Sequence, residues 1–267
     1  MENVLKKIVD KKKEDIQIYK RNFSNKKIFE NIKNNNNYID FKEKLKIRDK
    51  EKIISIIAEI KKASPSAGIL KEKFNHMDMA KSYIKEGIQF LSILTEENFF
   101  LGKLEYIESI KKKYRVPILC KDFFIDTFQV SLAKSFGADC ILIILSAIDP
   151  KLAKDLYDTA NELNISTLVE VHSRKEAELA LSFENSLIGI NNRNLDTLDV
   201  SLNTTVDLAK ILKSHKNPLI SESGLNTEED IKFIIKNAQI YNFLIGESLI
   251  KSNNLSSKLK KLMRISL

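Results

Sequence analysis

The chain has 267 residues, 43% of them hydrophobic and 30% charged. That is enough apolar material for one large core of the size of an α/β barrel, about 250 residues. Seven Gly and four Pro exclude collagen-like and low-complexity chains, no apolar run approaches the ~18 residues of a membrane helix, and the charged start MENVLKKIVDKKKED excludes a secretory signal. The net charge of +8 sits almost wholly in residues 1–50, which hold 15 Lys and Arg against 8 Asp and Glu; residues 51–267 hold 29 against 28. A nearly neutral body without an aromatic-interleaved basic stripe argues against a nucleic-acid partner and for a solvated, lysine-rich helical face. Cys120 and Cys140 have neither metal nor redox spacing, which fits a reducing cytosol.

In chain order, Val4-Leu5, Ile8-Val9, Ile16 and Ile18-Tyr19 recur at near-helical spacing. An Asn-rich break follows at Asn34–Asn37, and Phe41, Leu45 and Ile47 predict another short helix. Residues 1–48 read as a helical extension packed on a body formed by residues 49–267. From about residue 53, short apolar runs alternate with amphipathic stretches. The runs are Ile53–Ile60, Phe90–Thr95, Pro117–Phe123, Cys140–Ile148, Ser166–Val171, Leu187–Asn192, Pro218–Ser223 and Tyr241–Leu249. Helix-start signals stand at Asp126-Thr127, Asp149-Pro150 and Asn226-Thr227-Glu228-Glu229, and a last helix is predicted over about Leu255–Ile265. Eight β-then-α units of roughly 27 residues imply a parallel sheet, closed as a (β/α)8 TIM barrel. The open doubly wound rival would usually show a G-x-G-x-x-G turn, which is absent.

Polar residues stand at the ends of these apolar runs. Glu59 and Lys61 are two apart, so alternation puts them on one face of the first strand. Lys121 ends the third, Glu170 lies in the fifth, Asn191 and Arg193 end the sixth, Glu222, Ser223 and Gly224 the seventh, and Gly246 and Glu247 the eighth. Singly, a strand-end Lys is usually emerging into solvent and a Glu in an apolar run is often half of a structural ion pair. Together they predict one polar mouth at the strands' C-terminal ends, where barrel enzymes place their chemistry. Gly224 and Gly246, following the seventh and eighth strands, predict a phosphate seat of backbone N–H groups. His172 follows the fifth strand and can line the mouth, but is not counted among the catalytic residues. Cys120 points to the other face of the third strand and is read as packing.

The segment Glu59-Ile60-Lys61-Lys62-Ala63-Ser64-Pro65-Ser66 resembles the signature of the indole-3-glycerol phosphate synthase family, a carboxy-lyase of tryptophan biosynthesis. LTEENFF, ILCKDFF, LVEVHS, IGINNRNL, SESG and FLIGESL support the resemblance in order across residues 50–250. The resemblance implies ring closure, decarboxylation and dehydration of 1-(2-carboxyphenylamino)-1-deoxyribulose 5-phosphate. It implies no metal and no organic cofactor, and a stand-alone enzyme, a monomer with a weak dimer as the alternative. Its partner is a phosphorylated small molecule, not nucleic acid or a membrane.

On this reading Lys121 is the general acid at the carbonyl, tuned toward working pH by burial or a neighbouring cation. Lys61 holds the substrate carboxylate and is the candidate acid in dehydration, with the division of the acid steps between Lys61 and Lys121 left open by the sequence; Glu170 is the base, and Glu59 orients the lysines. Glu222 binds hydroxyls, Asn191 and Ser223 hydrogen-bond the reacting region, and Arg193 lies near the anion or the acidic groups. Ser64, Gly224, Gly246 and Glu247 seat the phosphate with Lys62 nearby, and Phe100 packs on the anthranilate ring or belongs to the core. A carboxylate repels phosphate, so Glu247 is expected to turn outward and offer only its N–H. The alternatives are another phosphate-binding barrel enzyme, such as an isomerase of phosphoribosyl intermediates, and a binding protein whose basic N-terminal arm meets nucleic acid in a salt-sensitive way.

Overall fold

The computed structural model describes residues 4–195 and 197–265. Eight parallel strands close into a barrel: β1 (Ser55–Ile60), β2 (Phe90–Leu94), β3 (Ile118–Lys121), β4 (Cys140–Ile144), β5 (Ser166–Val171), β6 (Leu187–Asn191), β7 (Leu219–Glu222) and β8 (Asn242–Ile245). Each strand pairs with its sequence neighbours and β1 pairs with β8, so no edge is left open. The strands are apolar on both faces because both are covered. Outward residues such as Ile56, Ile93, Ile143, Val169 and Ile188 pack under the surrounding helices. Inward residues Ile57, Phe90, Leu119, Leu142, Leu168, Leu187, Ile220 and Leu244 fill the interior.

All eight predicted strands are present; Ser166–Val171 matches its run, five others are trimmed by one to three residues, and two stop four residues short at their C-terminal ends. The run Cys140–Ile148 leaves the sheet at Ile144, and the run Tyr241–Leu249 leaves it at Ile245. After Gly246 the chain enters a helical turn, Glu247–Ile250, so Glu247 opens a helix rather than ending a strand. Hydrophobicity continues past the last ladder bond because Leu145 and Leu249 still pack in the outer core. The start signals act as read: Asp126 and Thr227 form capping boxes, and Asp149 caps a helix with Pro150 in its first turn.

Three helices precede the barrel: α1 (Val4–Asn22), α2 (Asn25–Asn34) and α3 (Phe41–Lys50). Helix α3 plugs the N-terminal end of the barrel. Its Phe41 and Leu45 are fully buried in the interior cluster, with the Phe41 ring 5.1 Å from that of Phe90. Polar ties surround the plug: Arg48 donates to Ser55 Oγ at 2.9 Å, Asn242 Nδ2 to Asp49 at 2.7 Å, and the Ile39 N–H to Asp139 at 2.8 Å. Helix α1 crosses the opposite end. Lys12, with its side chain enclosed, lies 2.8 Å from Asp122 Oδ1; Tyr19 donates to Glu97 at 2.8 Å, and Lys20 pairs with Asp126 at 2.6 Å. Among the described residues no helix is long and apolar enough to cross a membrane.

The plug yields a stability prediction. Phe41→Ala leaves a cavity where α3 packs into the interior cluster beside Phe90, and a loss of about 3–5 kcal/mol is expected. Urea unfolding followed by far-UV circular dichroism measures it. A loss below 1 kcal/mol, on the scale of a surface substitution, would contradict the plug.

Candidate active site

Alternation carries the chain from core to chemistry. Two positions above the apolar floor, four of the interior rows turn polar: Ile57 is followed by Glu59, Leu119 by Lys121, Leu168 by Glu170 and Ile220 by Glu222. The ladder sets these side chains at matching heights, with Leu94 opposite Lys121, Ile144 opposite Glu170, and Asn191 opposite Glu222. They open into one cavity of about 530 Å³ at the C-terminal end of the barrel.

At its floor the Lys121 ammonium sits between two carboxylates, 3.0 Å from Glu170 Oε2 and 2.5 Å from Glu222 Oε2. Burial opposes the charge on Lys121. The attraction of Glu170, Glu222 and Glu59 outweighs it and holds the ammonium well above the usual lysine range. The downward tuning expected from burial is therefore reversed, because carboxylates rather than cations surround this lysine. Lys61 pairs with Glu59 Oε1 at 2.6 Å.

The two carboxylates around Lys121 differ in their donors. Glu170 also receives Asn191 Nδ2 at 3.1 Å and lies 3.2 Å from His172 Nε2. Burial raises its pKa, but Lys121 and His172 together hold it below the ordinary carboxylate range. Among the described residues the Glu222 carboxylate has only Lys121 as a donor, and its Oε1 is buried without a partner. Burial first, then repulsion from Glu170, raises Glu222 above the ordinary range despite Lys121. Glu170 is the persistent anion and Glu222 the carboxylate more readily protonated.

Two glycines make room for this cluster. A Cβ on Gly189 would stand 2.1 Å from Glu222 Oε1, and one on Gly246 would stand 2.4 Å from Glu59 Oε1. An apolar wall faces the charges, built from Leu94, Phe100, Phe123, Leu142, Ile144 and Leu195, with Val4, Leu5 and Ile8 of α1. Opposite it lie Ser64, Ser223, Gly224, Gly246 and the start of the Glu247–Ile250 turn. The Glu247 carboxylate is engaged by Lys251 at 2.6 Å. The cavity thus combines an apolar face, buried cations for anionic or carbonyl oxygens, and a glycine-rich rim. Among the described residues no group of three His, Cys, Asp or Glu side chains is arranged to hold a metal ion.

A sequence model described as indole-3-glycerol phosphate synthase matches residues 5–262. The chain belongs to the indole-3-glycerol phosphate synthase family. A protein of that name from Alkaliphilus metalliredigens (strain QYMF) is 42% identical over 209 residues, 78% of this chain and 79% of the relative. One from Legionella pneumophila (strain Lens) is 43% identical over 209 residues, 78% of this chain and 80% of the relative. Among solved structures, a 3-hexulose-6-phosphate synthase superposes with a TM-score of 0.61 at 13% identity, covering 79% of this chain and 98% of that one. KGPDC from Streptococcus mutans superposes with a TM-score of 0.61 at 14% identity, covering 79% and 95%. These two likenesses concern the barrel alone.

Every residue that the resemblance to indole-3-glycerol phosphate synthase marked in the sequence lines this cavity except Lys62. Lys61 turns inward, so alternation turns Lys62 away, and its carbonyl instead accepts from the Leu70 N–H at 2.9 Å. Arg193 lines the cavity while its guanidinium donates to the Leu198 carbonyl at 2.9 Å. Phe100 lines it too, 6.1 Å from the Phe123 ring.

Two residues outside the lining bear on it. His172, set aside in the sequence, bridges Glu170 and Glu176, each 3.2 Å away. Its readable signal was the four-residue step to Glu176 together with the two-residue step from Glu170. Asn192, passed over between Asn191 and Arg193, anchors the rim through contacts with Ser221, Ser223 and Thr205 that no local pattern announces.

Two predictions follow from the packing of this cluster. Gly246→Ala is expected to displace the Glu59 carboxylate and lower turnover at least tenfold, the scale of a displaced positioning group; steady-state kinetics on the purified variant tests it. Burial opposes the charge on His172, but the two carboxylates outweigh it and push the imidazole up to about 9 from 6.5. A raised folded-state pKa stabilises fully below 6.5 and loses that contribution as pH rises through about 9. The Tm advantage of the wild type over His172→Gln is therefore expected to be largest at pH 6 and to shrink toward pH 9.5. A gap that widens with pH would contradict a charged His172.

Proposed function

We propose that the chain converts 1-(2-carboxyphenylamino)-1-deoxyribulose 5-phosphate to indole-3-glycerol phosphate, releasing CO2 and water. The observation that carries this reading is the convergence of Lys61 and Lys121, with Glu59, Glu170 and Glu222, in a single cavity that has an apolar wall on one side and a glycine-rich rim on the other.

The geometry supports an order of events. The aromatic ring lies on the Phe100 side and the phosphate at the Gly224–Gly246 rim, which sets the ketone over the floor. Lys121 polarises the ketone oxygen as the carboxyl-bearing ring carbon attacks, and the new C–C bond forms as the oxygen takes a proton. Loss of CO2 returns the electron pair to the ring. The hydroxyl then departs as water with a proton from an ammonium, Lys61 being placed for this beside Glu59. A carboxylate accepts the ring-methylene proton that completes the indole. Glu170 is ionised and positioned for that step, and the more basic Glu222 shares Lys121 with it. A cytosolic location goes with this reading, and both cysteines carry free thiols.

Purified protein is expected to turn the aminoketose phosphate into a fluorescent indole product without added metal. Lys121→Ala is expected to lower kcat by about 10²–10⁴, the range of acid–base catalysis, with a melting transition that shows the variant is folded. Unchanged turnover in a folded Lys121→Ala protein removes Lys121 from the chemistry.

A further inference from the structure

The geometry points to Asn192 as a positioning residue: it locks the Ser223–Gly224 turn so that the Gly224 N–H faces the cavity and forms part of the phosphate seat. This rests on the functional reading above and extends it to a residue that does not line the cavity.

The turn is conformationally demanding. Ser223 has φ of +65° and Gly224 has φ of +76°, two successive left-handed residues of which only one is glycine. A residue with a Cβ holds such a conformation only where its surroundings over-determine it. Asn192 supplies that determination. It is 2% exposed, on the outer side of the β6–β7 junction. Its Nδ2 donates to the Ser223 carbonyl at 3.0 Å and to Ser221 Oγ at 3.1 Å. Its Oδ1 accepts the Thr205 N–H at 3.1 Å and the Thr205 hydroxyl at 2.8 Å. Both donors and both acceptor sites of the amide are therefore used, and the Thr205 and Ser221 hydroxyls close the ring at 2.8 Å. The Asn192 backbone is fixed as well, its N–H donating to the Glu222 carbonyl at 2.9 Å.

The consequence follows from peptide geometry. In a trans peptide the C=O of one residue and the N–H of the next point in opposite directions. The Ser223 carbonyl is pulled outward to Asn192, so the Gly224 N–H is turned inward. Gly224 lines the cavity, and its N–H meets no acceptor among the described residues. A fixed, unpartnered N–H at the rim is suited to an anionic oxygen. Nothing in the Asn192 ring touches the cavity, so its influence on a bound anion passes through the turn alone.

Asn192→Asp separates this role from general support. It keeps an oxygen for Thr205 but replaces the donors to Ser221 and Ser223 with a repelling carboxylate oxygen. The expected result is a KM for the aminoketose phosphate raised roughly tenfold, a Ki for inorganic phosphate raised in parallel, and kcat within about threefold of wild type, the pattern of lost ground-state binding. Adding Ser223→Gly to Asn192→Asp is expected to bring KM back toward that of Ser223→Gly alone, because glycine takes the left-handed turn without support. A folded Asn192→Asp protein with unaltered KM and phosphate Ki, or one whose loss lies wholly in kcat, overturns the inference. Should Asn192→Asp fail to fold, the wild type decides by NMR: titration with inorganic phosphate is expected to move the Gly224 amide proton downfield, and an unmoved Gly224 amide overturns the inference. Wild-type protein inert toward the aminoketose phosphate defeats the functional reading instead, and the phosphate titration still tests the turn.

Discussion

A single ammonium group holds the mouth of this barrel together. Without Lys121, the buried carboxylates of Glu170 and Glu222 would face each other across an apolar floor with no cation between them. Buried like charges of that kind cannot both remain ionised. With Lys121 in place, Glu170 stays an anion because Asn191 and His172 assist, while Glu222, with fewer donors, stays easier to protonate. The asymmetry is local and geometric: it comes from which strand ends beside a donor and which beside a glycine.

The barrel was legible in the sequence because parallel strands buried on both faces leave near-continuous apolar runs, and eight of them alternate with capped helices. Their ends were less legible, since Leu145 and Leu249 prolong the runs after the ladder stops. Most of the site was legible for a related reason: once strands alternate inward and outward, Glu59 and Lys61 must share a face, and Lys62 must not. The resemblance around E-x-K-x-x-S-P-S supplied the remaining identities. Charge balance was not legible. The direction of the Lys121 shift depends on carboxylates brought from strands 49 and 101 positions away. The Asn192 ring was hidden for a like reason, because Ser221 and Ser223, 29 and 31 positions on, become its neighbours only when β7 pairs with β6.

Several lysines of the basic N-terminal segment find counter-charges within the protein. Lys12 and Lys20 reach Asp122 and Asp126 beyond β3, while Lys11 and Lys13 pair along α1 itself. The enclosed Lys12–Asp122 pair also connects α1 to the strand that bears Lys121, one residue from the charge cluster. Val4, Leu5 and Ile8 then complete the apolar wall. The same forty-odd residues reach both ends of the barrel, closing its floor through α3 and shaping its mouth through α1.

That arrangement has a bearing on how the molecule is born. The floor includes the bond between Asp49 and Asn242, partners 193 positions apart, and α3 is made before every strand that it plugs. Phe41 and Leu45 have their full enclosure only after the eighth strand has emerged and joined the first. Long-range closure of this kind is slow and leaves apolar surface waiting in the meantime. The excess of basic over acidic residues in 1–50, 15 against 8, is the kind of net charge that opposes self-association of a segment still waiting for its place.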